Sequence, residues 1–321
     1  MKRRAWVLAA GAVLALPKVL AQPAKLPRRV ALLTTSTEAN YETSLRAFRD
    51  GLRERGHVEG RDIAIDVRYA GGRAPELSRL AAELAALGPA VIVAPGGDAT
   101  DAALAAAPGV PVVSLGDLVA AGHAAQLGRP GGRVTGISFL AIPLNAKRLE
   151  LLAQLLPKGA AVLNLADSRP VAGSMQAVED AGRSLGLATH AAYARTLAEI
   201  ETAFVTARSL RVAGVNVLNS PFLYNHRARI IELAAAARLP AIFQWPDAAH
   251  DGALMGYGPN RDAMFRQLAG YASRILNGDK PSDLPVEQPT RFELAINLKT
   301  AKALGITIPP SLLLRADEVI E

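Results

Sequence analysis

The chain has 321 residues, half of them hydrophobic, with no cysteine and a formal charge of +7 from 36 basic and 29 acidic side chains. That length can bury a large core and exceeds what one domain usually builds. The lack of cysteine excludes disulfides, thiolate catalysis and a cysteine-anchored lipid, and the body of the chain has no run of roughly 20 apolar residues that could span a membrane.

The amino terminus reads as an export signal. Lys2, Arg3 and Arg4 form a basic head, "AWVLAAGAVLAL" is a short apolar core, and "VLA" before Gln22 is a small-residue cleavage site. Pro17 and Lys18 end the apolar run too early for a comfortable membrane anchor. Residues 1–21 are therefore expected to be cut off after Ala21, leaving a periplasmic protein. "RRAWVL" suits twin-arginine export as well as the ordinary route. The segment carries four basic residues and no acid, so its loss lowers the charge from +7 to near +3. That surplus is too small to mark a nucleic-acid surface.

Past the linker "QPAKLPRR", "VALLTT" reads as a strand. Tyr41, Leu45, Phe48 and Leu52 then recur at helical spacing up to Gly56. "DIAIDVRY" alternates, Leu77, Leu80, Leu84 and Leu87 mark a second helix, and "AVIVAP" is a buried strand. Two glycines and Asp98 open an alanine-rich helix, and "VPVVSLG" is the next strand. This alternation predicts a parallel sheet covered by helices on both faces.

The pattern restarts after "RVTGISF". A helix from about Leu144 to Leu156 precedes the strand "AAVLNLAD". Helices near Gly173–Leu185 and Leu197–Leu210 flank "ATHAAYA". "GVNVLNS", "PAIFQW" and "ALMGYG" read as strands, and "HRARIIELAAAARL" as a helix with a solvated basic face. Tyr224 and His226 are expected to begin that helix. The tail has a helix from about Asp262 to Leu276, then "LPVEQPT", the alternating "FELAINLK", and a short helix before "IPPSLLLRADEVIE". The fold class is thus α/β, with two doubly wound parallel-sheet lobes. The tail crosses back and is expected to add an edge strand to each.

"GLRERGHVEGRDIAIDVRYAGGR", "VTGISF", "HRARIIELAAAARLPAIF", "LMGYGPN" and above all "LPVEQPTRFELAINLKTAKALGITIPPSLLLRADEVIE" resemble the uncharacterised periplasmic solute-binding components of ABC transporters, the group that includes tryptophan-binding members. The resemblance spans nearly the whole mature chain. It implies a periplasmic-binding-protein fold with a lac-repressor-type core, two lobes joined by three crossovers, and a ligand between them. The lobes would comprise residues 27–141 with 258–289, and residues 142–257 with 290–321. It also implies a monomer that delivers a small molecule to a membrane permease. Two segments depart from the family pattern. "LADSRP" stands where the strand commonly runs into Asn-Pro, and "FQWPDAA" where a Tyr-Gly and a charged, aromatic turn are common.

Ligands of open α/β sheets bind beyond the carboxyl ends of the strands. That rule selects Thr34, Thr35, Ser36, Gly96, Gly97, Asp98, Ser114, Gly116 and Asp117 in lobe one. In lobe two it selects Asp167, Ser168, Asn219, Ser220, Phe222, Gln244, Trp245 and Tyr257. Gly96 and Gly97 let a ligand approach backbone N–H groups at a helix start, which favours a carboxylate, although a tight turn capped by Asp98 accounts for the same residues. No G-x-G-x-x-G or G-x-x-x-x-G-K-[ST] occurs, which argues against a nucleotide. Phe222, Trp245 and Tyr257 are candidates for an aromatic wall, or for lobe core. Asp117, Asp167 and Asp247 could meet a ligand ammonium group or cap a loop.

His57, His123, His190, His226 and His250 are scattered, with no H-x-x-x-H pair, and no G-x-S-x-G elbow occurs. No metal, cofactor or catalytic centre is expected. Two other classes fit the same architecture. One is an exported enzyme using Asp117, Asp167 or a histidine. The other is a ligand-sensing partner of a membrane receptor.

Overall fold

A computed structural model gives residues 27–167 and 172–321; the export segment and Ser168 lie outside the described residues. The first half runs β1 (Arg28–Thr34), α1 (Glu38–Glu54), β2 (Ile63–Tyr69), α2 (Leu77–Ala86), β3 (Val91–Val93), α3 (Gly97–Ala106), β4 (Val112–Leu115) and β5 (Val134–Ile137). These strands form a parallel sheet in the order β2-β1-β3-β4-β5. Alternation along β1 decides its packing. Val30 and Leu32 join one core cluster, Ala31 and Leu33 the cluster on the opposite face. Tyr41, Leu45, Phe48 and Leu52 are all buried, so the helical spacing of α1 marks its core face.

The chain then crosses to the second sheet. Its elements are α4 (Ala141–Ala153), β6 (Ala161–Asp167), α5 (Ser174–Ser184), β7 (Ala188–Ala194), α6 (Leu197–Ser209), β8 (Gly214–Val217), α7 (Pro221–Asn225), α8 (Arg227–Ala236), β9 (Ala241–Phe243) and β10 (Met255–Gly258). After β10 it returns, and α9 (Arg261–Leu276) packs on α1. It crosses once more to form β11 (Glu293–Asn297), α10 (Leu298–Leu304), α11 (Pro310–Leu313) and β12 (Glu318–Ile320). The second sheet has the order β12-β11-β10-β9-β8-β6-β7, with β11 antiparallel to β10 and the other pairs parallel.

The tail differs from the expectation of one edge strand per lobe. Both tail strands, β11 and β12, extend the second sheet. The first gains only a single bridge between Ile137 and Glu287. Pro285 and Pro289 flank that segment, and proline cannot donate to a ladder.

The return of α9 is possible because α1 carries a glycine where the helices touch. A Cβ on Gly51 would stand 2.8 Å from the Ala269 Cβ and 2.9 Å from the Arg266 carbonyl oxygen. At the end of the same contact His57 Nε2 lies 2.9 Å from Ser273 Oγ. The returning helix is thereby fixed to the first lobe by packing on α1 and on the face of the sheet at β3, β4 and β5.

Candidate functional site

The carboxyl ends of the two sheets face one another. From lobe one come the turns after β1 and β3 and the crossover after β5; from lobe two come the segment after β8 and the turn after β9. Ser36 Oγ donates to Asn225 Oδ1 at 2.8 Å, and Asn225 Nδ2 donates to the Thr35 carbonyl at 3.3 Å. Gly96 lies against Pro221, whose Cγ is 3.2 Å from the position of a Cβ on the glycine. The rings of Phe139 and Trp245 meet at 5.7 Å between centroids.

On the lobe-one side the Gly96–Gly97 turn is held from behind. Gly96 has φ +97°, and its N–H donates to the Leu115 carbonyl at 2.8 Å. Thr100 Oγ1 lies 2.9 Å from the carbonyl oxygens of Ala94 and Gly96 and 2.6 Å from Ser114 Oγ. Ser114 is buried and braces the turn. Gly97 is exposed at the first position of α3, where backbone N–H groups lack intrahelical partners. Gly96 occupies the cap position of α3, and Asp98 follows in its first turn. Thr34 is also inward-facing; its Oγ1 accepts from the Ser36 N–H at 3.2 Å.

Asp117 serves the first crossover. Its Oδ2 accepts the Ala141 N–H at 2.8 Å, at the start of α4, and its Oδ1 accepts from Ser138 Oγ at 3.2 Å. The residue before α4, Leu140, is left-handed and offers no side-chain cap, so Asp117 supplies one from a distance. Burial pushes its carboxyl up, while the N–H groups of Ala141, Leu140 and Ile142 and the Ser138 hydroxyl pull it down. Gly116, beside it, donates its N–H to the Ile137 carbonyl at 3.0 Å.

Lobe two holds its turn with a reciprocal amide pair. The Ser220 N–H donates to Gln244 Oε1 at 2.7 Å, and Gln244 Nε2 donates back to the Ser220 carbonyl at 3.1 Å. Gln244 is therefore a brace between the ends of β8 and β9. Ser220 Oγ caps α7 by accepting the Leu223 N–H. The Asn219 N–H donates to Asn145 Oδ1 at 3.1 Å. Asp167 is half-buried at the end of β6.

The three aromatics chosen from the sequence do not form one wall. Trp245 joins the core cluster otherwise built by lobe one and Tyr224. Phe222 packs edge-on to His226, 4.7 Å away, against one face of the second sheet. Tyr257 faces Phe292 at 6.3 Å on the opposite face. The helical turn of α7 and the alternation of β10 divide them. Phe139, which the strand-end rule passed over, is the aromatic partner of Trp245.

At the α7–α8 junction Asp247, a candidate from the sequence, gathers Tyr224 and Arg261, and Arg227 stands beside them. Tyr224 sits inside α7, and its hydroxyl donates to Asp247 Oδ2 at 2.8 Å. Arg261 donates from Nε to the same oxygen at 3.0 Å. The guanidinium carbons of Arg227 and Arg261 lie 4.3 and 4.9 Å from the Tyr224 ring centre. Arg227 also reaches Asp251 at 2.6 Å and Asn40 Oδ1 on α1 at 3.2 Å. The basic stretch after His226 is thus not simply solvated: Arg227 is mostly buried, whereas Arg229 pairs with Glu201 and Glu232 at the surface. A pocket of about 250 Å³ opens beside this network, lined by Thr43, Tyr224, Arg227, Asp247 and Arg261 among others.

Among the described residues no three His, Asp or Glu side chains gather closely enough to hold a metal ion, and no helix is long and apolar enough to cross a membrane.

Residues 31–320 match the family model described as "ABC transporter substrate binding protein". A tyrosine-binding protein of Clostridioides difficile (strain R20291) is 23% identical over 298 residues, covering 88% of this chain and 82% of that protein. An ABC domain from Streptococcus pneumoniae in complex with L-Trp has a TM-score of 0.81 and 23% identity, covering 91% of this chain and all of the other. The ligand-free, open structure of a Clostridium difficile substrate-binding protein with adhesive properties has a TM-score of 0.65 and 22% identity, covering 91% of this chain and 99% of that one. More distant likenesses have the periplasmic-binding-protein architecture, including a lac-repressor-type protein.

Proposed function

Because the chain belongs to the ABC transporter substrate-binding protein family, we propose that it is the solute-capturing component of an importer and holds a small amino-acid-like ligand with a planar side chain between its lobes. The observation that carries this reading is the meeting of Trp245 and Phe139 beside the opposed Gly96–Gly97 and Asn219–Ser220 turns. An aromatic pair suits a flat apolar group, and exposed N–H groups at the start of α3 suit a carboxylate. The relatives that bind tyrosine and tryptophan support the same class. The greater likeness to the tryptophan-bound relative than to the open one supports a closed arrangement here.

In this reading nothing is done to the ligand chemically. The lobes divide near residues 141, 258 and 289, and they close because contacts from both sides favour the closed state when ligand is present. The closed monomer then docks on a membrane permease. The mature protein begins at Gln22 in the periplasm, which amino-terminal sequencing of exported protein checks; an intact Met1 would reject it.

Calorimetric titration of the mature protein with L-tryptophan, L-tyrosine, L-leucine and L-alanine tests the ligand class. Micromolar or tighter binding of an aromatic member is expected. Binding confined to the aliphatic members would overturn the aromatic assignment.

A further inference from the structure

Arg148, in α4, is the largest fully buried side chain among the described residues, 1% exposed. Its Nη1 donates to the Tyr257 carbonyl at 3.0 Å and its Nη2 to Asn145 Oδ1, while Nε has no partner. No described carboxylate pairs with it, and residues 1–26 and 168–171 contain no Asp or Glu. A buried cation without a counter-ion is costly, and such groups are normally paired. Burial pushes the guanidinium down to about 9, which leaves it charged at neutral pH.

The neighbours of Arg148 are neutral relays. Asn145 Oδ1 accepts both the guanidinium and the Asn219 N–H. The Asn145 carbonyl accepts from Asn216 Nδ2, which also reaches Asn164 Oδ1 at 3.0 Å. The charge therefore stands one side chain behind the backbone of Asn219, at the end of β8. The next residues of that turn, Ser220 and Pro221, oppose Gly96 across the seam.

We propose that Arg148 is a positioning residue that selects ligands with an anionic group, its uncompensated charge acting through Asn145 on the Asn219–Ser220 turn. The inference rests on the interlobe ligand site proposed above. A carboxylate arriving at the turn brings a negative charge toward the guanidinium, which has no carboxylate partner of its own, and low-dielectric surroundings keep the attraction from being screened away. A neutral ligand of the same shape gains nothing from it.

The test pairs each amino acid of the panel with its carboxamide, which keeps the ammonium group and side chain but removes the negative charge. Two variants are titrated alongside the natural mature protein. Arg148→Met removes the cation. Asn145→Asp keeps an acceptor for both Arg148 and Asn219 but places a carboxylate against the guanidinium. The preference for acid over amide is expected to fall about tenfold or more in both variants, with amide affinity nearly unchanged. Asn145→Asp is also expected to melt no lower than the natural protein without ligand, because it pairs a buried charge. An unchanged preference in Asn145→Asp, or a lower melting temperature for it, would overturn the proposal. If only an aliphatic acid and its amide bind, the aromatic reading fails while the preference still tests Arg148. If no member binds, the ligand-free melting temperature of Asn145→Asp decides whether the charge is uncompensated.

Discussion

Gly96 and Pro221, from opposite lobes, approach so closely that a Cβ on the glycine would lie 3.2 Å from the proline Cγ. Gly96 also has φ +97°, a conformation that L side chains rarely adopt. The seam therefore closes over a position where only glycine combines the required backbone with the required clearance.

Gly96→Ala is expected to weaken ligand binding about tenfold or more, since strain of order 1–3 kcal/mol falls where the lobes meet. Part of that strain persists in the open protein, so the melting temperature drops as well. Calorimetric titration reads the affinity, and thermal unfolding without ligand reads the strain. Unchanged affinity would show that the glycine is not needed for closure.

Asn225 is a neutral tie between the lobes, with Ser36 on one side of its amide and the Thr35 carbonyl on the other. A hydrogen bond of this kind contributes about 0.5–1.5 kcal/mol net. Asn225→Ala should shift the population toward the open form and weaken apparent affinity several-fold. Small-angle scattering should show a smaller radius of gyration on ligand addition in the natural protein. The variant should need more ligand to reach it. A profile that ligand leaves unchanged would count against hinge closure altogether.

The lobes were legible because strands and helices are written in local pattern. Val30 to Leu33 alternate between two cores, and Tyr41, Leu45, Phe48 and Leu52 keep one helical face. The strand-end rule led to turns that meet one another in space, but it gave no directions for their side chains. Ser114 and Gln244 lie at strand ends, yet each is captured by a neighbour in space, Thr100 and Ser220. Asn225 went unmarked because the sequence pattern does not set off the short α7 that it ends, and the break between α7 and α8 is what turns its amide toward Thr35. Arg148 went unmarked because a basic residue in an amphipathic helix normally faces water.

Acid should weaken the fold through His57. Burial and the nearby Arg28 lower its pKa from 6.5, partly offset by Asp62. Between the lowered value and 6.5 the unfolded chain binds a proton that the folded one refuses, so stability rises with pH across that window. The contribution is intact above about 6.5 and is lost as pH falls through the folded value. His226, also lowered by burial, acts in the same direction. His57→Gln should therefore reduce, without abolishing, the fall in melting temperature between pH 7.5 and 5.5 (values chosen about one unit either side of 6.5). An identical fall in both proteins would show that His57 is not where the proton is refused.

Trp245 offers the sharpest division between ligand platform and core. It is 6% exposed, which alone would suggest core. It emerges from lobe two at the end of β9 and packs with Phe139 and the cluster built chiefly by lobe one. If the lobes close on a ligand as proposed, contacts of that kind form on closure and contribute little to folding of the open protein. Trp245→Ala is accordingly expected to weaken binding by about 1–3 kcal/mol, the range of aromatic stacking and hot-spot contacts, with only a modest loss of stability. A core tryptophan would behave in the opposite way, with about 3–5 kcal/mol lost from folding and affinity little changed. Phe139→Leu provides the companion measurement, since it keeps apolar volume at the crossover while removing the ring. If the two rings hold a planar ligand together, it should lower affinity for aromatic amino acids more than for aliphatic ones. Denaturant unfolding and calorimetric titration of the two variants separate the outcomes. Lost stability with intact affinity in Trp245→Ala would return the tryptophan to the core and remove the aromatic ligand's main support.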